Sequence, residues 1–214
     1  DDGLMAAIKI GRLVMGICQT NCYFVYREGS HSCIFVDPAD QGKGIYETLL
    51  KNGFRVEAIL LTHGHFDHIW GVKELKELSG AKVYALNAEQ ELLQDAKKNV
   101  SARAGRPCTL EADVLLEDGE KFRVGDIVFQ VIATPGHTQG SCCYYIEEAG
   151  FLLSGDTLFR ESVGRTDLPT GSMSQIVRSV KEKLFVLPED TKVYPGHGDS
   201  TTIKYEKDYN PFCG

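Results

Sequence analysis

His63-Gly64-His65-Phe66-Asp67-His68 packs three imidazoles and a carboxylate into six residues, and Gly136-His137, Gly155-Asp156 and Gly196-His197 follow in order. Neutral imidazole nitrogens together with carboxylate oxygens are the donors of a borderline divalent cation such as zinc, and also of iron or manganese. Each residue has a plainer reading when taken alone. A single strand-end histidine is more often hydrogen-bonded than metal-bound, an aspartate before a helix is a favoured N-cap, and an aspartate after a glycine suits a turn. Taken together, His63, His65, Asp67, His68, His137, Asp156 and His197 exceed what one tetrahedral ion uses, so the set predicts a paired metal centre. Asp156, a lone carboxylate at a strand end, is suited to bridging two cations. The remaining histidine, His31, lies between two serines and reads as a solvated turn residue.

Four apolar stretches lead directly into these residues. Glu57–Thr62 runs into His63, Phe129–Thr134 into Pro135-Gly136-His137, Phe151–Ser154 into Gly155-Asp156, and Lys192–Tyr194 into Pro195-Gly196-His197. If these strands run the same way in two facing sheets, their ends meet at one edge, where layered α/β architectures place ligand sites. Asp67 and His68 then open the next helix, and the glycines at 64, 136, 155, 196 and 198 let the backbone bend around the site.

Upstream, Ala7–Val14, Cys22–Tyr26 and Cys33–Val36 read as strands, the last stopped by Asp37-Pro38. Helical spacing predicts Ile45–Asn52, a run through Ile69, Val72, Leu75 and Leu78 to Gly80, and Ala88–Lys98, with Lys82–Leu86 as a strand between the last two. From about Val114 the pattern repeats: strands at Asp126–Thr134, Cys142–Ile146 and Phe151–Ser154, a helix at Ser174–Leu184, and a strand at Lys192–Tyr194. Two similar halves of this kind predict an α/β fold, two sheets packed together with helices outside. No low-complexity linker separates the halves, so residues 1–214 are expected to form one domain.

The 214 residues are 43% hydrophobic and 25% charged, enough to bury a sizeable core. A formal net charge of −7 and no Lys/Arg-dense stretch argue against nucleic acid as a partner. No apolar run is long enough to span a bilayer, and Lys9, Arg12, Gln19 and Asn21 interrupt Ile8–Val25, so neither a membrane anchor nor a signal peptide is expected. Seven irregularly spaced cysteines without a CxxC pair read as free thiols of a reducing cytoplasm. The acidic residues before Met5 are expected to be a cloning remnant.

On these motifs the chain resembles the metallo-β-lactamase-fold superfamily, and within it the glyoxalase II-like hydrolases, from Gln19-Thr20-Asn21-Cys22-Tyr23 to Gly196-His197-Gly198. The resemblance implies an αβ/βα four-layer sandwich of two mixed β-sheets and a dinuclear site. His63, His65 and His137 would hold one metal, Asp67, His68 and His197 the other, and Asp156 would bridge them. Gly155-Asp156-Thr157-Leu158-Phe159-Arg160, followed by Gly164-Arg165-Thr166-Asp167, is similar to the short single-domain members. Dinuclear β-lactamases of this fold commonly carry a cysteine where this chain has Asp156, which disfavours antibiotic hydrolysis. Full-length glyoxalase II enzymes add a helical domain that grips glutathione, whereas Gly214 comes 17 residues after His197. The expectation is therefore permissive hydrolysis of several small thioesters, with S-lactoylglutathione accepted but not strongly preferred.

The implied reaction is thioester hydrolysis of the hydroxyacylglutathione hydrolase type. Two cations roughly 3.5–4 Å apart can hold a hydroxide between them, since bound water is acidified to a pKa of about 7. That hydroxide attacks the carbonyl carbon, and a metal stabilises the oxyanion. Asp67 is the candidate catalytic residue, orienting the hydroxide. Arg165 is a candidate substrate residue, because a guanidinium grips carboxylates in a fork; its alternative is a salt bridge with Asp167 or Glu161. Tyr144 is a candidate pocket residue, its alternative a core strand aromatic. A persulfide dioxygenase would instead use one iron on His63, His137 and Asp156. In that family a cysteine usually precedes Gly-Arg-Thr-Asp, where this chain has Val163, which favours hydrolysis. A lactonase would use the same hydroxide, and the complete ligand set disfavours a non-catalytic scaffold.

Overall fold

A computed structural model describes residues 5–214, and the acidic residues ahead of Met5 lie outside them. The first half comprises β1 (Ile8–Met15), β2 (Thr20–Arg27), β3 (Ser32–Val36), α1 (Gly42–Lys51), β4 (Arg55–Leu60), α2 (Phe66–Ile69), α3 (Val72–Ser79), β5 (Lys82–Leu86), α4 (Gln90–Leu93) and β6 (Val114–Leu116). Its sheet runs in the order β1-β2-β3-β4-β5-β6, antiparallel up to β3 and parallel from there. The second half comprises β7 (Lys121–Val124), β8 (Ile127–Ala133), β9 (Cys142–Ile146), β10 (Phe151–Gly155), the hairpin β11 (Leu158–Phe159) and β12 (Ser162–Val163), α5 (Met173–Ser179), β13 (Lys192–Pro195), β14 (Thr201–Thr202) and α6 (Ile203–Tyr209). Its sheet runs β14-β13-β10-β9-β8-β7, with β10 and β13 parallel.

The period-two alternation of the strands decides the layering. In β3, Ile34 and Val36 face the second sheet, while Cys33 and Phe35 pack with Ile45 and Leu49 of α1 and Val72 and Leu75 of α3. In β9, Cys142, Tyr144 and Ile146 face the first sheet, while Cys143 and Tyr145 lie on the side of Ile176 of α5 and Ile203 of α6. Both sheets are mixed and both are covered, giving the αβ/βα four-layer sandwich. Hydrogen bonds tie the sheets together at one edge: Cys142 N donates to Thr62 O (2.8 Å), the Tyr144 hydroxyl to Leu61 O (2.6 Å) and the Tyr23 hydroxyl to Pro195 O (2.7 Å).

Two expected helices are shorter than their apolar spacing suggests. Within 88–98 only α4 is α-helical, because Asp95 Oδ1 accepts from Lys97 N and Lys98 N and turns the chain. The run expected from Ile69 to Gly80 is split at Gly71, whose N–H donates to Pro38 O instead. α5 continues beyond Ser179 as one wider turn, closed by Phe185 N on Val180 O. All seven cysteines are unpaired. Among the described residues no helix is long and apolar enough to cross a membrane.

Candidate metal centre

β4, β8, β10 and β13 deliver their chain ends to the edge where the sheets are tied. The loop after β4 carries His63 and His65, and α2 presents Asp67 and His68. His137 follows β8, Asp156 follows β10 and His197 follows β13. Two of the turns require glycine. At Gly155 (φ 52°) a Cβ would lie 2.5 Å from Thr62 Cβ, and at Gly196 it would lie 2.4 Å from Asp156 Oδ1.

The structure brings all seven sequence-predicted ligands together in two groups. His63, His65 and His137 form one; Asp67, His68, Asp156 and His197 form the other; in each, one donor atom per residue lies within 4.8 Å of the rest. Asp156 stands between the groups. Its Oδ2 is 3.3 Å from His137 Nε2, 3.8 Å from His63 Nε2 and 3.4 Å from His197 Nε2, and its Oδ1 is 3.2 Å from His68 Nε2. Asp67 Oδ2 is 3.2 Å from His197 Nε2.

Four rings are oriented by an acceptor on their far nitrogen, which leaves Nε2 facing inward. His68 Nδ1 donates to Asp37 Oδ2 (2.8 Å), His137 Nδ1 to Arg165 O (2.7 Å), His197 Nδ1 to Cys18 O (3.2 Å) and His63 Nδ1 to Thr62 Oγ1 (3.2 Å). His65 Nδ1 instead lies 2.9 Å from His137 Nε2.

The donor set fits divalent cations. His63 Nε2, His65 Nε2 and Asp156 Oδ1 are buried without a hydrogen-bond partner, whereas buried polar atoms are normally satisfied. Burial pushes His65 down to about 3 and His63 well below its ordinary value, so both are the neutral donors a metal requires. In the second group burial opposes charge, yet Asp156, Asp67 and Asp37 together hold His68 well above its ordinary value. His197, against the same burial, is raised to about 10 by its hydrogen bonds to Asp156 and Asp67. Burial also works against an ionised Asp156, but His68 and His197 outweigh it and hold the carboxyl well below its ordinary value. This group therefore attracts positive charge, which a divalent cation supplies in place of protons.

Asp37, which the sequence marks only as the end of a strand, supports the centre. Its left-handed backbone (φ 56°), which aspartate tolerates better than most residues, turns the carboxylate inward. Oδ1 accepts from Thr62 N (2.9 Å), and Oδ2 accepts from Thr62 Oγ1 (2.6 Å) and His68 Nδ1 (2.8 Å). The available signal was its place at the end of an apolar strand, the same kind of position that Asp156 occupies.

Tyr144 requires a correction. It is 0% exposed, its ring lies in the layer between the sheets, and its hydroxyl is engaged by Leu61 O. It holds the sheets together and does not line the cleft. Arg165 does reach the cleft, which measures about 350 Å³ and has Phe66, Phe159 and Leu168 in its wall. The Arg165 side chain is 62% exposed and forks onto Asp167 at 2.7 and 2.9 Å, while its own carbonyl orients His137.

Comparison with known proteins agrees with this layout. The family model of the metallo-beta-lactamase superfamily matches residues 15–197. The chain is 38% identical to the probable metallo-hydrolase YqgX of Bacillus subtilis, over 96% of this chain and 97% of that protein. It is 30% identical to the hydroxyacylglutathione hydrolase GloC of Haemophilus influenzae, over 91% of this chain and 92% of GloC. Among solved structures, that of the B3 metallo-beta-lactamase BLEG-1 superposes with a TM-score of 0.91 at 38% identity, over 96% of this chain and 99% of that one. TTHA1623, in a di-iron-bound form, superposes with a TM-score of 0.84 at 35% identity, over 94% and 99%. With the fold, the ligand order and a family match that runs through every donor from His63 to His197, the chain belongs to the metallo-beta-lactamase superfamily of metallo-hydrolases.

Proposed function

We propose that the chain is a single-domain thioester hydrolase of the hydroxyacylglutathione hydrolase type, working with two divalent ions, zinc first among them. The observation that carries this reading is the complete donor set, with Asp156 between its two halves and the cleft directly beside it. The likeness to GloC supports the substrate class. Ions bound there supply Lewis acidity at the scissile carbonyl oxygen and lower the pKa of a water to about 7. Asp67 lines the cleft with its Oδ2 beside His197 Nε2 and orients the attacking water through that carboxylate. Phe66, Phe159 and Leu168 offer the acyl and thiol portions an apolar wall and exclude bulk water. Arg165 holds its guanidinium as a fork on Asp167, and the same fork suits a substrate carboxylate.

The test is a steady-state comparison of S-lactoylglutathione with a neutral thioester lacking glutathione. A lactone and a cephalosporin serve as parallel substrates, and oxygen uptake with glutathione persulfide is followed alongside. Both thioesters are expected to be cleaved, with S-lactoylglutathione favoured by less than about a hundredfold, or about 2.7 kcal/mol of selective transition-state binding. Arg165→Ala is expected to lower kcat/KM for carboxylate-bearing thioesters by about 2–5-fold, the size of one largely exposed charge contact, and to leave neutral ones unchanged. Oxygen uptake without thioester cleavage assigns the chain to the dioxygenases. Faster opening of the lactone or the β-lactam than of either thioester overturns the substrate class.

A further inference from the structure

Glu89 lies in the turn between β5 and α4, is 1% exposed and makes no ion pair among the described residues. Its carboxylate nevertheless accepts from three donors. Oε2 accepts from Gly64 N (2.8 Å) and Thr138 Oγ1 (2.7 Å), and Oε1 accepts from Gly140 N (3.2 Å). Gly64 stands between His63 and His65, and Thr138 directly follows His137. One buried side chain therefore joins the two loops that supply the whole three-histidine group. Both loops pass close against the segment that carries Glu89: a Cβ on Gly140 would lie 2.3 Å from Glu89 N, and one on Gly64 would lie 2.7 Å from Leu93 Cδ2. Burial pushes the Glu89 carboxyl up to about 7 against the pull of its three donors, so the group is held there at an electrostatic cost that no ion pair offsets.

His65 shows why this joint matters. Its Nε2 is buried without a partner, and its Nδ1 meets only the His137 ring. Unlike His68, His137 and His197, it has no carboxylate or backbone acceptor: its one ring partner is His137 Nε2, a donor of the same group, so once an ion takes that nitrogen the backbone of the His63–His65 loop must set the His65 orientation. We propose that Glu89 is the positioning residue of the three-histidine group. It locks the His63–His65 loop to the His137–Gly140 loop and sets the affinity for the ion held there, leaving the Asp67, His68, Asp156 and His197 group unaffected. This rests on the two-ion reading of the centre and is independent of the substrate.

The experiment titrates metal-free protein with zinc and, in parallel, with cobalt(II). Stoichiometry is read by elemental analysis after gel filtration, and site environment by the cobalt d–d absorption. Glu89→Gln preserves volume but replaces one acceptor oxygen by an amide nitrogen, so Gly64 N or Gly140 N loses its partner. The wild type is expected to bind two ions. Glu89→Gln is expected to bind one of them with wild-type affinity and the other about 10–100-fold more weakly, the range typical of supporting residues around metal ligands. Thr138→Val, which removes a different donor of the same joint, is expected to weaken the same ion by less, and it carries the test if Glu89→Gln does not fold. Unchanged affinity for both ions, or equal weakening of both, overturns the proposal. A wild type that binds a single ion overturns the two-ion reading instead.

Discussion

Asp156→Ala is expected to lose turnover by at least about a thousandfold while the protein stays folded, well beyond the 10–100-fold typical of supporting residues. Among the described residues Asp156 is the one carboxylate within 3.8 Å of histidines of both ligand groups, approaching His63 and His137 on one side and His68 and His197 on the other. Without it, two like-charged ions would face each other without the shared carboxylate, so both occupancies should fall together. No single histidine variant should do this; His68→Ala should lose mainly the ion of its own group. The fold should survive, because the Asp156 carboxylate meets the histidines of the centre and the three hydrophobic clusters are built from other residues. Steady-state turnover, metal content and near-ultraviolet circular dichroism on the same sample check all three points. Retention of most activity would sink the bridging assignment.

Asp37 should show a different signature, in which stability and metal binding separate. In Asp37→Ala, Thr62 N, Thr62 Oγ1 and His68 Nδ1 all lose their buried acceptor, and breaking such a buried charged cluster costs about 3–5 kcal/mol. Urea unfolding of the metal-free protein measures it. Asp37→Asn should be milder in stability and still damaging to the site. Its carbonyl oxygen can take the bond from Thr62 N, but its amide donates towards His68 Nδ1. That forces the His68 proton onto Nε2, the nitrogen that faces the centre. A loss of about 10–100-fold in affinity for one ion is expected, with the other ion retained. Wild-type affinity for both ions in Asp37→Asn would show that the His68 tautomer is not set by Asp37.

The candidate metal ligands could be read from the sequence because their signal is local. Three histidines and an aspartate fall within six residues, and each later donor follows a glycine at the end of an apolar strand. The layers were legible for a similar reason, since alternation in strands such as β3 and β9 assigns every side chain to one face. Asp37 and Glu89 were not legible, because each acts across a long stretch of chain, 31 residues to His68 and 25 residues to Gly64. Glu89 was hidden further by the apolar spacing of Leu92 and Leu93, which suggested a longer helix with polar residues outward. Tyr144 depended on which face of β9 meets the other sheet, and the spacing within one strand does not say. β11, β12 and β14 have two residues each and so present no period to recognise. α6 hides in a polar stretch whose start is marked only by Thr202 accepting from Tyr205 N.

The paired centre is tested most directly by the metal content of protein purified without added metal, combined with X-ray absorption at the edge of whichever metal is found. Close to two ions per chain are expected, in a histidine and aspartate environment. Chelation should remove turnover, and restoring two equivalents of zinc should return it. One ion per chain, reproducibly bound in six-coordinate iron geometry, would contradict the paired centre and the hydrolysis built on it.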